Sequence, residues 1–280
     1  MNGTATEYSN TESYETSSRL GVHPAQAEAG GHVAGDLESI SLTRQLVAEF
    51  IGSFFLVFTG IITAYLLFTD YLGGALAQGM VVVVMMSLFG GISGAQLNPV
   101  VTLALVIGGR LSLLRAICII PAQVIAGVLA ALVLAGVLGK SEIVYAAGDG
   151  PSPIEMATPK IPERLVNGAP SPNTPRVNVA KALLVESLLA FVWAMAVCGF
   201  VCRRGITTTG AAIAVGCAVS AILLVGGVIT GAGLNPARVF GPALISGYWQ
   251  NHLVYWIGPI IGAAMAGLIG CRFLFREEEE

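Results

Sequence analysis

Two short segments hold the residues best placed to act on another molecule: Gly94-Ala95-Gln96-Leu97-Asn98-Pro99-Val100 and Gly231-Ala232-Gly233-Leu234-Asn235-Pro236-Ala237. Asparagine is a favoured helix N-cap, and proline suits the first helical position, where its missing N–H would be unpaired anyway. Each Asn-Pro therefore predicts a helix starting at the proline. The asparagine amide can also point donors away from the helix. A helix start carries partial positive charge. Two such starts would attract an oxygen lone pair and repel a cation. Arg238, three residues after Asn235, adds a full positive charge within one turn.

The two segments are copies. An offset of 137 residues superposes Asn98 on Asn235, Pro99 on Pro236, Gly94 on Gly231, Ala95 on Ala232, Leu97 on Leu234 and Gly90 on Gly227. The same offset superposes Glu49 on Glu186, the acids inside the first and fourth apolar segments. Chance is a poor explanation for so many matches at one offset. Each glutamate can accept bonds from the N–H groups of its own asparagine loop, a structural role that the shared symmetry favours. A proton relay is the competing role, because an ionisable group within a membrane is functional by default. Arg238 breaks the symmetry, since its mate is Val101. An arginine buried in a membrane without a function would be costly. It is read as a selectivity residue, against a salt bridge to another helix.

The elements that position these residues follow from hydropathy. The chain is 55% apolar and 11% charged, with mean hydropathy +0.77, whereas soluble domains carry about 25% charged residues. Six segments reach the roughly 20 apolar residues a spanning helix needs, at about 44–68, 75–93, 112–138, 178–201, 209–228 and 250–275. Small residues recur along them, as in Gly127–Gly139, and permit close helix packing in lipid. The Asn-Pro segments are too short to cross. Pro99–Gly108 makes about 15 Å of helix, and two such helices end to end make about 30 Å, the hydrocarbon thickness.

Each repeat thus holds three spans and one half-helix. Three is odd, so the second copy is inverted in the membrane, and the two half-helices dip in from opposite faces. Broken helices in inverted repeats meet near the midplane, and irregular backbone there must be buried in protein or line a wet cavity. The fold class expected is all-α membrane protein, with six transmembrane helices and two re-entrant half-helices. An even number of spans puts both termini on one side. Seven Lys and Arg flank that side and five the other, which favours cytoplasmic termini. Residues 1–42 read as a disordered tail without the regions of a secretory signal, so the first span is expected to be its own insertion signal. Residues 43–275 read as one membrane domain, 139–177 as an irregular extracellular loop and 276–280 as an acidic tail.

Net charge of −3 gives no footprint for nucleic acid. Cys118, Cys198, Cys202, Cys217 and Cys271 contain no CxxC pair and read as small hydrophobes, not as a disulfide set or metal site. No cofactor or metal is expected. No nucleophile–base set or phosphate loop points to an enzyme.

Together, Ala48–Phe58 (AEFIGSFFLVF), Ser93–Thr102 (SGAQLNPVVT), Glu186 and Gly231–Leu244 (GAGLNPARVFGPAL) resemble the major intrinsic protein family, the aquaporins and aquaglyceroporins, over about residues 44–275. The resemblance implies a homotetramer in the lipid bilayer with one pore per subunit. In aquaporin-type pores the positive half-helix ends exclude protons and cations while water passes. The first motif departs from the family's Asn-Pro-Ala, being Asn98-Pro99-Val100, and Val100 adds bulk where the half-helices meet. The second, Asn235-Pro236-Ala237, is intact.

Aligned on the motifs, the family's selectivity filter falls at Gln78, Leu223, Ala232 and Arg238. Water-selective members carry Phe, His, Cys and Arg there; glycerol facilitators carry Trp, Gly, Phe and Arg followed by Asp. This chain has Val239 after the arginine and leucine where the water channels have histidine. Gln78 brings a donor and an acceptor, unless it serves instead as a helix–helix hydrogen bond. The resulting amphipathic wall suits small neutral solutes: hydrogen peroxide, glycerol, urea or boric acid as well as water. The Asn-Pro-Val motif is also similar to that of the uncategorised X intrinsic proteins, although these usually have Cys where Val239 stands. A strictly water-selective channel, a secondary transporter and a junctional scaffold remain alternatives. The membrane expected is the plasma membrane.

Overall fold

The computed structural model describes residues 37–66, 71–138, 165–166, 169–170, 177–203 and 206–275. Its helices are α1 (Leu42–Leu66), α2 (Tyr71–Ser93), the short α3 (Pro99–Ile107), α4 (Leu113–Leu138), α5 (Val179–Cys202), α6 (Thr208–Gly226), the short α7 (Pro236–Ser246) and α8 (Val254–Ala266). α8 continues as a wider π-helical stretch over Gly267–Leu274. Two residue pairs, β1 (Leu165–Val166) and β2 (Ala169–Pro170), form a small antiparallel ladder in the connection between the repeats.

Six of these helices are long and apolar enough to cross a membrane, and the chain is an integral multi-pass membrane protein. Leu72, Met80, Leu114, Ile125 and Phe273 lie exposed on their outer faces, as expected where lipid is the solvent. Because lipid is as apolar as the side chains, close packing must hold the bundle together. The α2–α6 contact shows how. A Cβ on Gly79 would fall 2.4 Å from the Gly216 carbonyl oxygen, and one on Gly216 would fall 2.6 Å from the Gly79 carbonyl oxygen. Gly79 and Gly216 are themselves related by the 137-residue offset, so this crossing lies on the pseudo-twofold axis of the repeats. α5 and α8 meet in the same way, at Gly262 against the Ser187 carbonyl.

The short helices exchange partners between repeats. α3, from the first, lies against the end of α8, where a Cβ on Gly267 would reach 2.3 Å from the Ala104 carbonyl oxygen. Arg272 Nε donates to the Ile107 carbonyl at 2.6 Å, satisfying one of the carbonyls left open at the end of α3. α7, from the second repeat, lies against α4 through Gly127 and Gly241, whose backbones touch.

Two readings of the sequence are corrected. Cys202 and Cys271 form a disulfide, with Cα atoms 5.8 Å apart, joining the end of α5 to the end of α8. They stand 69 residues apart and meet only through the α5–α8 packing; Cys118, Cys198 and Cys217 are free thiols. Residues 37–41, expected from their polarity to belong to a disordered tail, fold against the bundle. Leu37 is buried in the main apolar cluster near Gly94 and Val201. Glu38 pairs with Arg115 at 2.9 Å, and Arg115 also donates to the Ile40 and Glu38 carbonyls and to Gln45 Oε1. The Ser112 N–H and Arg115 hold the Glu38 carboxyl below the usual carboxylate range. Residues 1–36 and 276–280 and most of 139–177 lie outside the described residues.

Gly216→Ala should cost about 1–3 kcal/mol, the usual cost of overpacking. A melting temperature in detergent lowered by several degrees checks this. Gly136→Ala, where nothing lies within 4 Å of the added Cβ, should leave it unchanged or slightly higher.

Candidate functional site

The two Asn-Pro starts meet inside the bundle. Asn98 caps α3, its Oδ1 accepting from the Val100 N–H at 3.0 Å; Asn235 caps α7, accepting from the Ala237 N–H at 2.9 Å and the Arg238 N–H at 3.4 Å. The amide nitrogens reach across the repeat boundary. Asn98 Nδ2 donates to the Leu234 carbonyl at 3.1 Å, and Asn235 Nδ2 donates to the Leu97 carbonyl at 2.9 Å. Each asparagine thus caps its own helix and fastens the other repeat's loop. Pro99, Val100, Pro236 and Ala237 are buried in the first turns of their helices.

Those carbonyls point across because the loops adopt uncommon backbone conformations. Gly94 and Gly231 have φ of 80° and 81°, Ala95 and Ala232 of 45° and 46°, and Leu97 and Leu234 of 53° and 54°. The left-handed region costs residues with a Cβ about 1–3 kcal/mol each and persists only where surroundings enforce it. The buried glutamates enforce it here. Glu49 accepts from the Gln96 N–H at 2.8 Å, the Leu97 N–H at 2.7 Å, Ser93 Oγ at 2.5 Å and Gln123 Nε2 at 2.8 Å. Glu186 accepts from the Gly233 N–H at 3.1 Å, the Leu234 N–H at 2.8 Å and Thr230 Oγ1 at 2.6 Å. Every one of these partners is a donor, so both groups act purely as acceptors.

Ser93 and Thr230 were missed in the sequence although they obey the 137-residue offset. Each hydroxyl donates to its glutamate and accepts from the N–H two residues on, of Ala95 or Ala232, at 3.2 Å. The last prop differs between the copies. Gln123 bridges Glu49 and Thr102 in the first, while Tyr255 donates to the Thr230 carbonyl at 2.7 Å in the second.

Of the four aligned filter residues, Gln78 and Arg238 converge on α1. A Cβ at Gly60 would lie 2.7 Å from Gln78 Nε2 and 3.2 Å from Arg238 Nε. Gln78 Nε2 donates to the Leu56 carbonyl at 3.2 Å, so the helix–helix bond weighed as its alternative role is present. Arg238 makes no ion pair among the described residues, and its Nη1 is buried with no protein partner. Leu223 stands on the last turn of α6, and Ala232 in the loop that follows it. The Leu223 carbonyl accepts from the Tyr71 hydroxyl, and Ala232 Cβ packs 3.2 Å from the Cβ position of Gly226. Tyr71 and Gly60 carry no motif and were not singled out in the sequence.

Glu186→Gln puts an NH2 where three donors converge. It should cost about 1–3 kcal/mol, the penalty for a buried group left unsatisfied. Thermal denaturation in detergent would register this as a lower melting temperature, with Thr230→Ser, which keeps the hydroxyl, close to the parent. Equal stability of Glu186→Gln and the parent would contradict the bracing role.

The chain is similar to known proteins in sequence and in fold. The family model described as Major intrinsic protein matches residues 36–270. Aquaporin TIP4-4 of Zea mays is 34% identical over 266 residues, covering 89% of this chain and 90% of its own. The lens fiber major intrinsic protein of Bos taurus is 36% identical over 249 residues, 86% of this chain and 84% of its own. Among solved structures, the aquaglyceroporin from Plasmodium falciparum has the same fold, with a TM-score of 0.65 at 20% identity over 84% of this chain and 97% of that one.

Proposed function

The chain belongs to the major intrinsic protein family, and on that premise we propose that it is a passive channel for water and small uncharged solutes. Hydrogen peroxide, glycerol, urea and boric acid are the solutes its filter suits. The observation that carries the proposal is the meeting of two helix starts at Asn98 and Asn235, with Arg238 one turn beyond. Donors and positive potential there favour a neutral oxygen-bearing solute and oppose a cation.

A passive route also fits the acids. An ion-coupled transporter needs a titratable or ion-binding group beside its substrate, whereas Glu49 and Glu186 are buried and engaged in bracing their loops. The pathway would run past Gln78, Leu223, Ala232 and Arg238 and then between the asparagines. The filter combines an arginine with apolar Leu223 and Ala232, a wall for small solutes with both polar and apolar surface. We assign residues 43–275 to the channel, place both termini in the cytoplasm and the protein in the plasma membrane, and expect a homotetramer with a pore in each subunit.

Stopped-flow measurements on proteoliposomes, comparing water, glycerol and hydrogen peroxide with empty vesicles, test the proposal. All three should move faster than through lipid; water alone moving faster would mean a strictly water-selective channel, and none would mean no channel. Leu223→His should raise the ratio of water to glycerol permeability by about tenfold, the effect of roughly 1.4 kcal/mol at a constriction. An unchanged ratio would contradict the filter assignment. Arg238→Ala should raise cation or proton leak by a similar factor of about ten. The decay rate of an imposed ion gradient in the same vesicles is the readout, and a leak equal to the parent's would remove Arg238 from this role.

A further inference from the structure

The filter positions belong to α2, α6, the second asparagine loop and α7, but the point where Gln78 and Arg238 converge belongs to α1. It is Gly60, with Gln78 Nε2 at 2.7 Å and Arg238 Nε at 3.2 Å from where its side chain would begin. A carbonyl oxygen only accepts, so the Leu56 carbonyl fixes which end of the Gln78 amide faces it: the nitrogen. Gln78 has therefore turned one N–H of its amide onto α1, which leaves its Oε1 facing away from that carbonyl. Arg238 offers only donors, and its Nη1 is unpartnered.

We propose that Gly60 is a specificity-determining residue. Its bare backbone lets Gln78 fold its NH2 onto α1, so that the filter presents Gln78 Oε1 as an acceptor beside the donors of the Arg238 guanidinium. The inference rests on the filter assignment above and deepens it. The solute class selected is the small neutral molecule with hydroxyl groups, a polyol or hydroperoxide, which donates to one wall and accepts from the other. A side chain at residue 60 drives the Gln78 amide off Leu56 and into the pathway. That narrows the passage and reorients its acceptor, and it slows glycerol more than water. The clash falls on the far end of a flexible side chain, so the fold accommodates it.

The test compares glycerol and water permeability in proteoliposomes for the parent, Gly60→Ala, Gln78→Ala, Gly60→Ala/Gln78→Ala and Leu223→His. Gly60→Ala should lower the ratio of glycerol to water permeability about fivefold, the effect of one neutral hydrogen bond. In the Gln78→Ala background the same substitution should have no further effect, because the group it displaces is gone. An equal effect in both backgrounds overturns the inference, since Gly60 would then act through general packing. No effect of Gly60→Ala beside a clear effect of Leu223→His overturns it while the filter assignment stands. No effect of any variant overturns both. A Gly60→Ala protein that fails to fold also overturns it, because the obstruction would then not be a movable amide.

Discussion

Two hydrogen bonds, Asn98 Nδ2 to the Leu234 carbonyl and Asn235 Nδ2 to the Leu97 carbonyl, hold together what would otherwise be two loops of exposed peptide within an apolar bundle. Unpaired backbone groups cost several kcal/mol in hydrocarbon, so a chain that breaks its helices there must repair each break from within. Here the repair comes in layers. Glutamate accepts the loop N–H groups, a hydroxyl at Ser93 or Thr230 braces the glutamate, and the opposite asparagine takes the outward carbonyl. The left-handed residues are sustained by this enclosure, and the short helices are aimed by it.

The pseudo-twofold symmetry separates the residues that build the structure from those proposed to use it. Asparagines, glutamates, the paired Gly79 and Gly216 and the left-handed loop residues all come in twos. Of the filter residues only Ala232 does, being matched by Ala95. Arg238 is matched by Val101, Gln78 by Val215 and Leu223 by Met86. Symmetric positions answer to backbone satisfaction, which both copies face alike. The asymmetric ones face a pathway that must differ at its two ends, and they were free to diverge.

Hydropathy and repetition are readable along one dimension, which is why the six spans, the half-helices and their inversion were legible in the residues. Contacts between distant segments were not. Cys202 and Cys271 look like ordinary apolar fillers until α5 and α8 are side by side. Leu37 and Glu38 lie in a polar stretch and fold only because Gly94, Val201 and Arg115 receive them. Gln78 reads as a bifunctional amide in sequence, and its bond to the Leu56 carbonyl fixes the NH2 against α1. Ser93 and Thr230 carried a signal in the shared offset, but small hydroxyl residues are common enough in apolar helices to pass unnoticed. Gly60 carried none, since its importance lies in what two other side chains do in the space it leaves.

The central claim is that facing helix starts admit neutral oxygen and refuse positive charge. Water flux and proton flux measured in the same proteoliposomes test it most directly. An osmotic jump should shrink the vesicles much faster than empty ones, while an imposed pH gradient decays no faster than through bare lipid. A pH gradient that collapses along with the rapid water flow would contradict the account.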